Sequence, residues 1–125
     1  MTGPAAAERV KRLEEKGVIR GYSALVDPES VGAILTAFVA VTLDRPEHRK
    51  PFLKRVAKLP EIQECHHVTG DDDYLLKVRC RGPRDLDRVI SEELKSVTGV
   101  GRTRSTIVLS TAKETPLLPL PDEDR

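Results

Sequence analysis

A short acidic turn offers the clearest set of ligand-binding groups in this chain. In the stretch Val68–Leu76, Gly70 is followed by three aspartates, Asp71 to Asp73, and apolar segments flank the turn. Glycine lets a ligand approach the main chain closely, free N–H groups can hold a carboxylate, and Asp71 or Asp73 can pair with an ammonium group. Both ends of a zwitterion would then be bound at one loop, which favours capture of a small charged ligand.

A purely structural explanation of this turn stays open, because Gly and Asp are also the residues that hairpin turns prefer. Signs of catalysis are weaker. The chain shows no Ser or Cys in a recognisable nucleophile elbow and no phosphate-binding G-x-x-x-x-G-K loop, and its paired carboxylates lie at a turn instead of facing across a cleft. The sequence therefore predicts a binding protein and not an enzyme.

The run Cys65-His66-His67 contains residue types that ligate zinc. Adjacent residues of a strand point to opposite faces, so the two histidines cannot easily share an ion, and one hydrogen-bonded histidine is the favoured interpretation. Cys65 and Cys80 have no C-x-x-C spacing and are interpreted as reduced core thiols. We expect no metal and no cofactor.

Length and charge limit the remaining classes. A chain of 125 residues can bury one core, and a formal net charge of +1 provides no global field for nucleic acid or membrane. No apolar run approaches the roughly 20 residues of a membrane span, and the N-terminus lacks the pattern of a signal peptide. The expected location is cytoplasmic.

The elements that would position the acidic turn begin with a helix. Residues 5–16 are strong helix formers that end at Gly17, with Thr2 as a candidate N-cap and with basic residues on the exposed side. The composition of residues 18–26 predicts two short strands on either side of Gly21. The composition of residues 27–33 predicts a turn or linker.

From residue 34 onward, apolar periodicity predicts a regular order of elements. The predicted segments are a strand at Ile34–Leu43, a helix at 52–59, strands at Ile62–Thr69 and Tyr74–Arg81, a helix at 86–97 and a strand at Arg102–Leu109. The order β-α-β-β-α-β predicts an α+β, ferredoxin-like fold with helices on one sheet face. An open apolar second face would need a cover, which implies a dimer through the sheets.

Four strings in this order closely resemble the Lrp/AsnC, or feast/famine, transcriptional regulators: Glu8–Glu14, Gly17–Tyr22, Glu61–His66 and Thr69–Leu76. The resemblance extends from about Thr2 to Lys113. It implies a winged helix-turn-helix joined by a hinge strand to a ferredoxin-like domain of the RAM type, which binds amino acids and assembles dimers into higher rings.

The resemblance implies four regions: residues 1–26 as a remnant recognition helix and wing or hinge strand, 27–33 as linker, 34–113 as the ligand-binding and oligomerisation domain, and 114–125 as a proline-rich acidic tail. The opening helix aligns with the family's recognition helix, so the helices expected before it would be missing, by truncation or by nature. A recognition helix reads the major groove only when the preceding helix braces it across the DNA backbone. Arg9, Lys11 and Arg12 would then be weak leftover DNA contacts or an ordinary solvated face.

The resemblance also implies an effector pocket between subunits. The candidate ligand-binding residues are Thr69, Gly70, Asp71, Asp73, Tyr74, Thr103, Ser105 and Thr106, with Arg102 and Arg104 on the same last strand. The resulting hypothesis is an amino-acid-responsive regulator that forms a homodimer and an octamer-type ring, stays off the membrane, and binds DNA weakly unless a complete helix-turn-helix is supplied. The alternatives are a small ferredoxin-like dimeric enzyme and a stand-alone amino-acid-binding module without DNA binding.

Overall fold

A four-stranded antiparallel sheet is the centre of the computed structural model, which describes residues 3–121. Its strands are β1 (Leu35–Leu43), β2 (Ile62–His67), β3 (Tyr74–Cys80) and β4 (Val100–Ile107), in the spatial order β2-β3-β1-β4. The apolar strand β1 lies inside the sheet, where both of its edges are paired. With a helix after β1 and another after β3, this is the predicted ferredoxin-like fold.

Two of the helices begin slightly earlier than the apolar pattern predicted. They are α1 (Gly3–Glu15), α2 (Arg49–Ala57) and α3, which starts as an α-helix at Pro83–Asp87 and continues as a π-helix over Arg88–Leu94. For α2 and α3 the difference arises because each predicted helix was started at its first apolar residue, whereas the first turn is mostly polar. Helix α1 begins at Gly3, the position that a candidate N-cap at Thr2 predicts. None of the helices within residues 3–121 is long and apolar enough to cross a membrane.

The core lies between the sheet and the helices α2 and α3. The strands contribute Val39, Val41, Leu76 and Val78, and the helices contribute Phe52, Val56, Leu86, Val89 and Leu94. Residues of β3 alternate strictly between buried and half-buried. This confirms that Tyr74, Leu76, Val78 and Cys80 share one face, because side chains alternate along a strand.

The second face of the sheet differs from the predicted apolar surface. Phe38, Ala40 and Leu75 form only a small apolar centre, since Phe38 pairs with Lys77 and Ala40 with Leu75 and Arg104. The expectation of an open apolar face is wrong, because Lys77 and Arg79 alternate with the core residues of β3, and Arg102 and Arg104 are exposed on β4.

The segment before the sheet contains one confirmed and one incorrect prediction. Helix α1 ends as expected at Gly17, whose φ is +76°, and the N–H groups of Gly17 and Val18 donate to the carbonyls of Glu14 and Leu13. The predicted strands at residues 18–26 are not formed, because an isolated extended segment has no partner for its main-chain groups. A short 3₁₀ turn at Glu29–Val31 lies within the linker. The candidate N-cap, Thr2, lies outside the described residues.

Candidate functional site

The acidic turn connects β2 and β3 and is tied to the end of β1. The Val68 N–H donates to the Asp73 carbonyl at 3.1 Å, and the Asp73 N–H donates to the Val41 carbonyl at 3.0 Å. Gly70 has a φ of +108°, which side chains rarely adopt, and nothing lies within 4 Å of the place a Cβ would take. Glycine is required here by the main chain, and it leaves the outer side of the turn open.

The three aspartates have different surroundings. Asp72 accepts hydrogen bonds from the Thr42 hydroxyl at 3.2 Å and from Arg104 at 2.7 Å, so its charge is neutralised and it clamps the turn to β1 and β4. Asp73 accepts the Leu43 N–H at 2.7 Å, and Asp71 is exposed. Within residues 3–121, neither Asp71 nor Asp73 has a cationic side chain within 4 Å. These two carboxylates are therefore available to a ligand cation.

A cavity of about 210 Å³ lies beside Asp73. Its lining combines apolar, acidic and basic side chains: Leu43, Asp44, Arg45, Pro46, Arg49, His67, Asp73 and Tyr74. Gly101 packs closely against Asp44, because a Cβ at Gly101 would stand 2.8 Å from the Asp44 carboxylate. The start of β4 thus supports the wall of the cavity.

Tyr74 organises the basic side of this cavity. Its ring is buried between Phe52 and His67, with centroid distances of 5.2 and 5.1 Å, and its hydroxyl accepts a hydrogen bond from Arg49 Nε at 2.8 Å. The terminal guanidinium nitrogens of Arg49 have no carboxylate within 4 Å in the described part of the chain. Arg49 and Asp73 together give the cavity a donor for a carboxylate and an acceptor for an ammonium group.

The predicted site residues are only partly brought together in one subunit. Thr103 pairs with Val41, which also pairs with Tyr74, so Thr103 lies level with the end of the turn. Ser105 and Thr106 lie two and three positions further along β4, roughly 7 and 10 Å away along the strand. Thr69 is exposed where the turn begins. A contribution from Ser105 and Thr106 through a second subunit stays a prediction.

Sequence reasoning missed Arg49, Asp44 and His67 as cavity residues. A usable signal existed for Arg49, because it stands three and seven residues before Phe52 and Val56 and so shares their helix face. A basic residue at the end of an apolar stripe indicates a charged group held at the edge of the core. Asp44 and His67 gave no comparable signal, since only the sheet register brings the ends of β1 and β2 together.

The other candidate residues lie elsewhere. Arg9, Lys11 and Arg12 are exposed on α1, a helix with no buried residue, and their DNA contacts stay a prediction. His66 lies 2.9 Å from a Glu64 carboxylate oxygen, whereas His67 stacks on Tyr74, so the two rings point to opposite faces as predicted. No cluster of three potential metal ligands occurs among residues 3–121. Burial raises the pKa of the Cys65 thiol, which keeps it protonated.

The chain is similar in sequence to several known proteins. The family described as "Lrp/AsnC ligand binding domain" matches residues 36–118. The leucine-responsive regulatory proteins of Klebsiella pneumoniae and Escherichia coli K12 are each 44% identical over 109 residues, which is 86% of this chain and 66% of theirs. The chain thus spans slightly less than two thirds of the length of these relatives.

Solved structures agree with the sequence matches. A transcriptional regulator of Neisseria meningitidis, in complex with L-methionine, superposes with a TM-score of 0.91 and 34% identity, covering 95% of this chain and 78% of the other. A feast or famine regulatory protein of Mycobacterium tuberculosis, also complexed with L-methionine, has a TM-score of 0.84 and 36% identity, covering 94% and 79%. Escherichia coli AsnC, at 23% identity and a TM-score of 0.88, shares the fold.

Proposed function

The chain belongs to the Lrp/AsnC family, and from this premise we propose that it acts as an amino-acid-responsive transcriptional regulator through its effector-binding domain. The observation that carries the proposal is the cavity beside the acidic turn, which both Asp73 and Arg49 line. An α-amino acid is the common small molecule that presents an ammonium and a carboxylate on one carbon. Such a ligand matches the two charges of this cavity.

The ligand is proposed to be an amino acid with an uncharged side chain. Leu43, Pro46 and the Tyr74 ring form apolar parts of the cavity wall. Two similar solved structures are complexes with L-methionine, which makes methionine the first candidate to test. The ammonium group would be held by Asp73 or Asp71, and the carboxylate by Arg49 or by main-chain N–H groups near Gly70.

Response to the ligand is proposed to involve a second subunit. Thr69 and the β4 residues Thr103, Ser105 and Thr106 would complete the pocket across an interface, so that the ligand alters how dimers associate into rings. A ligand shifts such an equilibrium only by its differential affinity for the two assemblies. The coupling free energy is therefore expected to be about 1–3 kcal/mol.

Calorimetric titration of the full chain with the twenty common amino acids tests the proposal. We expect at least one uncharged amino acid to bind, and D73N to weaken binding by roughly 10- to 100-fold, because a charge-assisted hydrogen bond contributes about 1.5–3 kcal/mol. The side-chain amide oxygen of the D73N variant would still accept the Leu43 N–H, so the turn would stay attached to the end of β1. A bulky residue at Gly70 should abolish binding.

The matched control is D87N, which removes an equal charge on α3, where the Asp87 carboxylate accepts the Ser91 hydroxyl and has no cation within 4 Å among the described residues. D87N should bind like the unmodified chain. Absence of binding for every amino acid, or equal affinities of D73N and the unmodified chain, would contradict the proposal. Catalytic turnover of a bound amino acid would instead favour the small-enzyme alternative.

A further inference from the structure

Helix α2 and the residues next to it carry an unusual excess of positive charge. Between positions 45 and 58 there is a single acidic residue, Glu47, against six basic ones: Arg45, Arg49, Lys50, Lys54, Arg55 and Lys58. The whole chain has a formal net charge of only +1, so this excess is a local feature that is balanced elsewhere.

Half of these basic residues have partners within the domain. Arg55 lies 3.4 Å from a Glu93 carboxylate oxygen, Arg45 lies 3.9 Å from Glu47, and Arg49 donates to Tyr74. The other half are the three lysines of α2 and its C-terminal cap, Lys50, Lys54 and Lys58. All three are exposed, and none has a carboxylate within 4 Å in the described residues 3–121.

These three lysines form a single row, which we call the lysine row. They are spaced four residues apart, so on a helix they follow one another at about 6 Å along a line of roughly 12 Å. Their mean direction is about 180° from that of Phe52 and Val56 at 100° per residue. Since Phe52 and Val56 are buried in the core, the orientation of α2 is set and the lysine row must point outward.

The row is unfavourable for the helix itself. Like charges four residues apart repel each other, whereas exposed helices commonly place an acid at that spacing from a lysine. A surface groove of about 390 Å³ runs beside the row, between α2 and the Val97–Thr98 segment, and Lys54, Arg55 and Lys58 line it. Unpaired cations beside a concave surface match an extended anionic partner.

We propose that the lysine row contacts the phosphate backbone of duplex DNA. The proposal rests on the proposed function as a transcriptional regulator, because it adds a DNA surface to the ligand-binding domain. One strand of a duplex presents a phosphate about every 3.4 Å along the axis, so a 12 Å row faces roughly three or four phosphates in any register. Contact of this kind requires charge and no base recognition.

A protein partner fits this surface less well. Protein interfaces are anchored by aromatic, methionine and arginine side chains. The groove beside the lysine row is lined by no aromatic or methionine side chain, and its arginine, Arg55, is paired with Glu93. The acidic run Asp122 to Asp124 of another copy is the competing occupant, since it supplies charge of the right sign. It offers three charges, whereas a duplex offers a continuous line of them.

Fluorescence anisotropy of the full chain with a labelled duplex of arbitrary sequence, titrated at several salt concentrations, tests the proposal. The unmodified chain should bind weakly, with a measurable dependence of log K on log salt. The variant K50Q/K54Q/K58Q should lose up to about 2.7 from the magnitude of that slope, since each phosphate contact contributes about 0.9. Its affinity at low salt should fall by on the order of tenfold.

The matched control is R84Q/K95Q/K113Q, which removes the same charge from other exposed positions and should keep the slope. Equal slopes for the two variants would overturn the proposal. A change of oligomer mass by light scattering in K50Q/K54Q/K58Q, with the DNA slope unchanged, would also overturn it and would assign the row to the acidic run of another copy. Calorimetry should show the same amino-acid affinity for the unmodified chain and for both triple variants. Absence of amino-acid binding in the unmodified chain would count against the proposed function and not against the lysine row.

Discussion

Glu114 ties the C-terminal segment to the sheet. Its carboxylate accepts hydrogen bonds from Lys77 at 2.5 Å and from Arg79 at 2.6 Å, and both basic side chains are only 14% exposed. Hydrogen bonds from Lys77 and then Arg79 lower the pKa of Glu114 from 4.5 to about 2. A residue that looked like the start of an acidic tail therefore neutralises two cations on the second sheet face.

Replacing Glu114 with Gln should make the protein less sensitive to acid. A carboxyl whose folded pKa is depressed contributes stability above its unfolded pKa of 4.5, and the contribution is lost as the pH falls towards 2. The melting temperature of the unmodified chain should exceed that of E114Q at pH 7, and the two should converge only as the pH falls through about 2. Thermal unfolding followed by circular dichroism at several pH values measures this.

The control for this effect is E92Q, because Glu92 is exposed on α3 and has no cation within 4 Å among the described residues. Its pH profile should follow that of the unmodified chain. Parallel profiles for E114Q and the unmodified chain would mean that Glu114 does not hold the segment in solution.

Helix α2 performs three tasks through two opposite faces. Phe52 and Val56 are buried in the core, Arg49 is held at the cavity by Tyr74, and the lysine row faces outward. A helix supplies these separate directions because successive residues turn by about 100°. The position of the cavity therefore depends on how firmly α2 is packed.

Phe52→Ala should destabilise the fold and weaken amino-acid binding. The Phe52 side chain is fully buried and lies 5.2 Å from the Tyr74 ring, so its loss leaves a cavity and releases the ring that orients Arg49. A loss of about 3–5 kcal/mol in the free energy of unfolding is expected. Urea denaturation measures the loss, and calorimetry measures the binding.

Leu53→Ala is the neighbouring control, since Leu53 is 38% exposed. It should cost less than about 1.5 kcal/mol, because only part of its apolar surface is removed from water. Equal losses for the two variants would show that Phe52 is not the residue through which α2 packs on the sheet.

The molecule as a whole exposes apolar side chains in residues 18–26, before the linker, and on its second sheet face. Tyr22 is 74% exposed, Leu25 is 80% exposed, and Phe38 stands at the centre of the open face with 37% exposed. Contiguous exposed apolar groups mark association surfaces, whereas single ones are ordinary, so the apolar centre of the open face is the relevant one. A dimer through the open face remains the prediction, now based on a small apolar centre and its charged surroundings.

Phe38→Asp and Val39→Asp form a pair that separates association from folding. Phe38 points to the open face, whereas Val39 is fully buried in the core. F38D should stay folded and shift the protein towards a monomer, and V39D should unfold, because an unpaired charge cannot be buried at an acceptable cost. Multi-angle light scattering and circular dichroism measure the two effects. An unchanged molecular mass for F38D would show that the subunits associate through a surface other than the open sheet face.

The element order and the acidic turn were both readable from the residues themselves. Alternation in Tyr74–Cys80, the apolar run of β1 and the helical spacing of Phe52 and Val56 are local patterns, and local patterns report which side of an element is buried. Gly70 was equally readable, because its backbone conformation is a local requirement. The resemblance to the family needed only the strings themselves.

Tertiary structure alone decided which residues meet. Asp72 and Arg104 are 32 positions apart and Arg49 and Tyr74 are 25 apart, so their contacts depend on strand register and helix packing, which one-dimensional periodicity does not encode. The same holds for the contact of Glu114 with the sheet and for residues 18–26, which form no strand. A strand exists only with a partner, and a charged pocket exists only where separate elements converge.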